Sequence, residues 1–300
     1  MGWILVSLSS AAVSGILSII DKKVLTNFLP NVGSFGLLLS LMSIISGILI
    51  IWIVPQASYV ENNIKFLAAL GGFIWGSGLL VYFHMLRIEE VSRTSPVFHT
   101  YPAIVAVLGV SFLDEHLSIT QWFAVMMTIT GAILISTKIT GSGIFNINKS
   151  TFTLLMLASL LAAIGQLTNK YVLDNAPFWT IFGFRNIGIA IPFLVFLSKD
   201  NLSGLINGMR HPVGRYVLIF GEIIYATFSV WLALVAVNMG PVSIVTALIG
   251  TRPAFIFIYS IILSKVKFNI LDEPITKEII LSKAIAITFV VLGVSTIILL

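Results

Sequence analysis

Four ionisable side chains stand inside long apolar runs of this sequence: His99, Arg185, Glu222 and Arg252. A charge at the centre of a membrane helix costs roughly 2.5–3.5 kcal/mol on insertion scales, so each asks for a partner or a task. Glu222 and Arg252 are the deepest opposite charges of the second half. Counted at 1.5 Å per residue from the neighbouring loops, their depths differ by roughly 5 Å. That predicts an ion pair between adjacent helices, with Glu222 exchanging a proton or cation and Arg252 sensing the change or holding an acidic group. The plain alternative is a structural pair that makes two buried charges tolerable. Arg185, with Asn186 beside it, is a candidate for capping carbonyls or attracting an anionic group. His99 shares a side of its run with Ser95 and Pro102. It could shuttle protons near physiological pH, or simply donate to a neighbouring carbonyl.

Uncharged polar residues fall on helical faces around these four. Ser7, Ser10, Ser14, Ser18 and Asp21 are spaced by three and four, which makes one stripe on a helix. A later run carries Ala162, Gln166, Asn169 and Lys170, and another carries Gly71, Trp75, Gly78 and Tyr82, with Gly72-x-x-x-Gly76 beside it. Two polar stripes suggest two walls of one wet cavity, although serine also packs helices closely. Trp75 lies too deep in its run for an interfacial belt, whereas Tyr82 and His84 lie near a helix end and could be anchors. The candidate substrate contacts are therefore Ser14, Ser18, Trp75, Tyr82, His99, Gln166, Asn169, Arg185, Tyr225 and Arg252, with Glu222 as the coupling residue.

Other chemistries find no support. The chain has no Gly-x-x-x-x-Gly-Lys-Ser/Thr loop for nucleotide phosphates. Its four histidines show neither HExxH nor another close metal-ligand spacing, and without cysteine there is no thiolate site. Tyr82, Phe83 and His84 sit in an apolar run and make no nucleic-acid surface. No cofactor, metal ligand or catalytic residue is expected, and no nucleic-acid partner.

Positioning such residues requires membrane helices. Of 300 residues, 58% are hydrophobic and 10% charged, and the mean hydropathy is +1.05. Soluble domains carry roughly 25% charged residues. Ten continuous apolar stretches are long enough to span, at about 3–20, 34–54, 65–86, 94–112, 119–137, 151–171, 178–197, 214–237, 241–263 and 281–300. Continuous runs favour helices over a barrel. Pro30, Pro55, Gly141-Ser142-Gly143, Pro177, Pro212 and Pro241 punctuate the connections. The first stretch lacks a basic leader and is expected to be retained, not cleaved. Of the 17 Lys and Arg residues, thirteen fall in odd-numbered loops, two in even-numbered loops and two in spans. The positive-inside rule then puts the odd loops in the cytoplasm and both termini outside.

The two halves also resemble each other. Val91-Ser92 precedes Thr100-Tyr101-Pro102-Ala103 by the same spacing with which Val242-Ser243 precedes Thr251-Arg252-Pro253-Ala254. Leu113-Asp114-Glu115 recurs as Leu271-Asp272-Glu273, and Lys22 to Pro30 echoes Lys170 to Pro177. With five spans per half, residues 1–140 and 141–300 form two repeats of opposite orientation, a plan that recurs in transporters with a midplane site. The fold class expected is an all-α integral membrane protein of ten transmembrane helices in two inverted five-helix repeats.

On these residues the chain resembles the drug/metabolite transporter superfamily, and within it the EamA-type ten-helix exporters. Leu113-Asp114-Glu115-His116-Leu117 followed by Gly131 is similar to that family's Gly-Glu turn and next-helix glycine, with Asp114 in the glycine's place. Acidic turns of this kind are expected to neutralise helix N-termini or pair locally. The resemblance implies a secondary transporter of the cell membrane, exporting a small polar or amphipathic metabolite, amino-acid-like or drug-like, by alternating access. Its partners would be that solute, the lipid bilayer and a coupling proton or cation, with a homodimer left open. Family members are often drawn with both termini cytoplasmic, against the charge count. A membrane-embedded enzyme acting on a lipid head group would need clustered His, Asp or Glu at a membrane face. A non-transporting scaffold would leave the polar stripes without purpose.

Overall fold

The computed structural model describes residues 2–29, 31–54, 59–86, 88, 91–136, 149–264 and 277–299. All regular elements among them are helical: α1 (Gly2–Asn27), α2 (Val32–Ile53), α3 (Asn62–Met85), α4 (Val91–Phe98), α5 (Tyr101–Phe112), α6 (Ile119–Ser136), α7 (Lys149–Asn175) and α8 (Phe178–Phe193) in the first part. The second part holds α9 (Lys199–Arg210), α10 (Pro212–Tyr216), α11 (Ala226–Met239), α12 (Val242–Ile249), α13 (Arg252–Ser264) and α14 (Lys277–Leu299). Eight spans are long and apolar enough to cross a membrane, and Ile119–Ile135 and Ala284–Leu299 are two shorter apolar helices. Large apolar side chains such as Trp52, Phe112 and Val195 point outward, as a lipid-facing surface requires. This is a multi-pass membrane protein.

Helices fall on all ten expected stretches, and two of the ten are broken in the middle. α4 gives way to α5 at His99-Thr100, and α12 gives way to α13 at Gly250-Thr251. Loops of the same parity meet, as alternating crossings demand. Glu115 reaches the start of α12, Glu61 lies near Pro177, and Ser34 donates to the Asn201 carbonyl at 3.1 Å.

The connection 198–213, expected as a loop, contains α9. Ser198 caps it by accepting from the Asn201 N–H, and Leu202, Leu205, Ile206 and Met209 recur at helical spacing on a polar background. The expected features at Leu271-Asp272-Glu273, Gly141-Ser142-Gly143, Pro30, Pro55 and Leu300 lie outside the described residues.

Between helices in lipid, close packing replaces the hydrophobic effect as the main attraction. α3 lies between α7 and α8. A side chain at Gly72 would collide with the Arg185 carbonyl, and one at Gly188 with that of Ala69. α6 and α14 meet in the same way: a Cβ on Gly131 would stand 2.7 Å from the Ala286 carbonyl oxygen, and one on Gly293 2.7 Å from that of Ala124.

Candidate functional site

The same turn is built at both breaks. Thr100 N–H bonds the Val97 carbonyl at 3.2 Å, Thr100 Oγ1 donates to it at 2.7 Å, and Ala103 N–H bonds back to Thr100 at 3.0 Å. In the second span, Thr251 N–H bonds Leu248 at 3.1 Å, its Oγ1 donates there at 2.7 Å, and Ala254 N–H bonds Thr251 at 2.9 Å. Pro102 and Pro253 have no N–H to carry the helix back across the break. Ser159 of α7 brings its one hydroxyl within 3.0 and 3.1 Å of the carbonyls of Val97 and Phe98, and within 3.0 Å of that of Leu155 on its own helix, so a single donor is shared at the break. Each threonine hydroxyl thus answers its own turn. The residues beside it, His99 and Arg252, are free to face elsewhere.

Arg252 faces α1. Its Nε donates to Ser18 Oγ at 2.6 Å, Ser18 Oγ donates to the Ser14 carbonyl at 3.1 Å, and Ser14 Oγ lies 2.9 Å from Ser229 Oγ on α11. Arg252 Nη2 stands 3.7 Å from Asp21 Oδ2. The cation therefore pairs with Asp21, not with Glu222 as expected. The expectation counted depth along two regular helices, and neither is regular. The α12–α13 span turns at Gly250-Thr251, and Glu222 sits in a π-helical segment, Val217–Tyr225, between α10 and α11. There the Ala226 N–H reaches back five residues to Gly221, which shifts the side-chain directions of the whole turn. Glu222 is fully buried, neither carboxyl oxygen has a hydrogen-bond donor, and the carboxyl next to it is that of Asp21.

The aromatic candidates form a second group. Trp75 meets Tyr101 edge to face at 5.6 Å, and Tyr82 stacks on Phe98 at 4.3 Å. The His99 ring is 6.4 Å from Tyr101, and its Nδ1 is buried without a partner. Arg252 is near enough for its charge to act on His99, Tyr101 and Tyr82.

The remaining candidates divide. Asn169 Nδ2 donates to Gln166 Oε1 at 3.4 Å, while Asn169 Oδ1 is buried and unpartnered. Arg185 on α8 makes no bond to another candidate; its Nε and Nη1 are buried with no acceptor. Tyr225 donates to the Val13 carbonyl at 3.0 Å, which ties α1 to the π-helical segment. Asp21 is the residue that the candidate list lacked. It belonged to the serine stripe, but Lys22-Lys23 directly after it reads as a juxtamembrane charge run.

Outside the bundle centre, Glu115 accepts the Val242 N–H at 2.5 Å, the Ser243 N–H at 3.1 Å and the Ser243 hydroxyl. The first acidic turn therefore neutralises a helix N-terminus, that of α12. Asp114 beside it has φ 52°, a left-handed conformation suited to glycine.

Comparison with known proteins gives the following likenesses. Residues 1–137 match the EamA-like transporter family. An uncharacterized transporter in the cobO 3' region of Sinorhizobium sp is 30% identical over 81 residues, covering 27% of this chain and 57% of that protein. An uncharacterized transporter YxxF of Bacillus subtilis (strain 168) is 26% identical over 160 residues, 51% of each chain. The chain spans about half the length of these curated relatives. A solved crystal structure with 12% identity superposes with a TM-score of 0.70, over 99% of this chain and 96% of its own. That likeness concerns the fold.

Proposed function

With residues 1–137 matching the EamA-like transporter family, we propose that the chain is a secondary transporter that moves a small polar or amphipathic metabolite, amino-acid-like or drug-like, outward by alternating access. The observation that carries this reading is the pair of broken spans, whose breaks at His99-Thr100 and Gly250-Thr251 place ionisable groups mid-span. Discontinuous helices are where transporters build binding sites, because backbone away from regular helix is tolerated only along a cavity. Two halves of opposite orientation, each with one broken helix, would rock about that region.

In this reading Ser14, Ser18 and Arg252 offer hydroxyls and a cation on one side, while Trp75, Tyr82 and His99 offer flat rings and a ring nitrogen on another. Gln166 and Asn169 add an amide pair, one oxygen of which lacks a donor. Arg185 supplies two N–H groups without an acceptor, which suits an anionic group on the solute. Glu222 is the coupling residue, and Tyr225 serves the site by holding α1.

Purified protein in liposomes tests the proposal. Saturable uptake or release of solutes from a panel of amino acids and amphipathic drugs is expected, weakened by Trp75→Ala, Gln166→Ala and Asn169→Ala at normal expression. Chemical conversion of a lipid without solute flux would replace it with the head-group enzyme, and neither activity would leave a scaffold.

A further inference from the structure

We propose that Asp21 and Glu222 together form a site for one proton, shared between the two carboxyls and balanced by Arg252. The inference rests on charge and geometry at the meeting of α1, the π-helical segment and α13. Glu222 has no exposed surface, and both its oxygens lack a donor. α1 meets the segment one residue earlier on each side, where a side chain at Gly221 would collide with Ile20, and the Asp21 and Glu222 carboxyls act on each other there. Two ionised carboxylates are acceptors only, so a bond between them needs a proton on one.

Arg252 is the cation at the site, 3.7 Å from Asp21, with its Nε given to Ser18. Tyr225 and Tyr259, titratable groups on the packed elements, donate to the carbonyls of Val13 and Ala12. α2, which packs along the segment, has no titratable residue in Val32–Ile53. Lys22 and Lys23 follow Asp21 on α1, and each has an interaction of its own. Arg215, two turns before Glu222, is exposed at the end of the span. Two carboxyls against one guanidinium carry a net negative charge, which one proton on either oxygen pair neutralises.

The site has a path and a moving part. The Asp21 and Arg252 side chains are 28% and 32% exposed, whereas Glu222 is sealed. A proton therefore reaches Glu222 by way of Asp21. Loss of the proton leaves two carboxylates against one guanidinium, and their repulsion acts on a π-helical turn that can reset to α geometry. Binding and release of H+ involve no other reactant: one O–H bond forms or breaks, and the charge of the site changes by one.

The experiment is infrared difference spectroscopy of the full chain in phosphatidylcholine–phosphatidylglycerol liposomes between acid and alkaline pH, in sodium-containing and sodium-free buffer. A carboxylic-acid carbonyl band that disappears on alkalinisation is expected in the unaltered protein. It should be lost in Glu222→Gln, which keeps shape and can donate to Asp21. In Asp21→Asn the band should persist with its midpoint moved by about one pH unit or more, tenfold in proton affinity. Should Glu222→Gln fail to fold, the Asp21→Asn shift carries the decision. A titrating band unchanged in both variants overturns the proposal, as does its absence in the unaltered protein. Sodium binding to two ionised carboxyls also overturns it. The proposal rests on the transporter reading only for its meaning in flux. A titrating band without solute flux leaves the proton site standing and sinks the transporter, whereas flux without the band does the reverse.

Discussion

Glu115 and Ser243 are 128 positions apart, and the carboxylate of the first binds both the backbone N–H and the hydroxyl of the second. The cap ties the turn after α5 to the start of α12, one element from each half. Gly109 makes room for it, since a side chain there would press on Ser243 and Glu115. Replacing Glu115 by Ala leaves the Val242 and Ser243 N–H groups unanswered and should lower stability by about 1–2 kcal/mol. Glu115→Gln should cost less. Thermal melting in detergent, followed by tryptophan fluorescence, checks the order.

Asp114, at φ 52°, holds a conformation that costs an L-residue roughly 1–2 kcal/mol, less for Asp than for most. Asp114→Gly should therefore raise the melting temperature. Asp114→Val should lower it, because a β-branched chain suits that region worst. If both variants melt alike, the turn is not under this constraint.

At Gly72 and Gly188 the backbones of α3 and α8 touch. Alanine at either position should force the helices apart, at about 1–3 kcal/mol. Gly2→Ala is the control, since a Cβ there meets only Met239 Cε at 3.8 Å. Melting curves of the three variants should separate cleanly, with Gly2→Ala near the parent.

Arg185 is 5% exposed and lacks acceptors for two of its nitrogens. A cation buried without compensation is a burden on the fold, so Arg185→Met should leave the melting temperature unchanged or raised. If the guanidinium waits for an anionic solute, the same variant should weaken apparent transport affinity tenfold or more. Unfolding of Arg185→Met, with stability restored by lysine, would make the residue structural.

Much of this was legible in residue types. Apolar runs set the helices, and the repeat of Thr100-x-Pro102 as Thr251-x-Pro253 was visible, although both spans were expected to be continuous there; the stripe from Ser7 to Asp21 was legible as one face of α1. Ser7 and Ser10 are indeed fully buried. Three things were not legible. The π-helical turn around Glu222 arises from packing, because Val217–Tyr225 is as apolar as any regular span. The partner of Arg252 depended on that turn and on the break at Gly250, neither of which a count of residues per ångström contains. Arg185 was legible as a buried charge, yet its isolation shows only once α2, α3 and α8 are in place. The helix α9 was readable from Leu202, Leu205, Ile206 and Met209, but a span-length window passes over a twelve-residue element.

α7, with 27 residues, is about 40 Å long at 1.5 Å per residue. A hydrocarbon core of roughly 30 Å is shorter than that, so the helix leans over or extends beyond it. α3 packs along it at Gly71, Gly78 and Gly165 and must lean with it. The tilt of this pair therefore sets the bilayer thickness that suits the protein, and lipids with longer chains should stand the pair more upright.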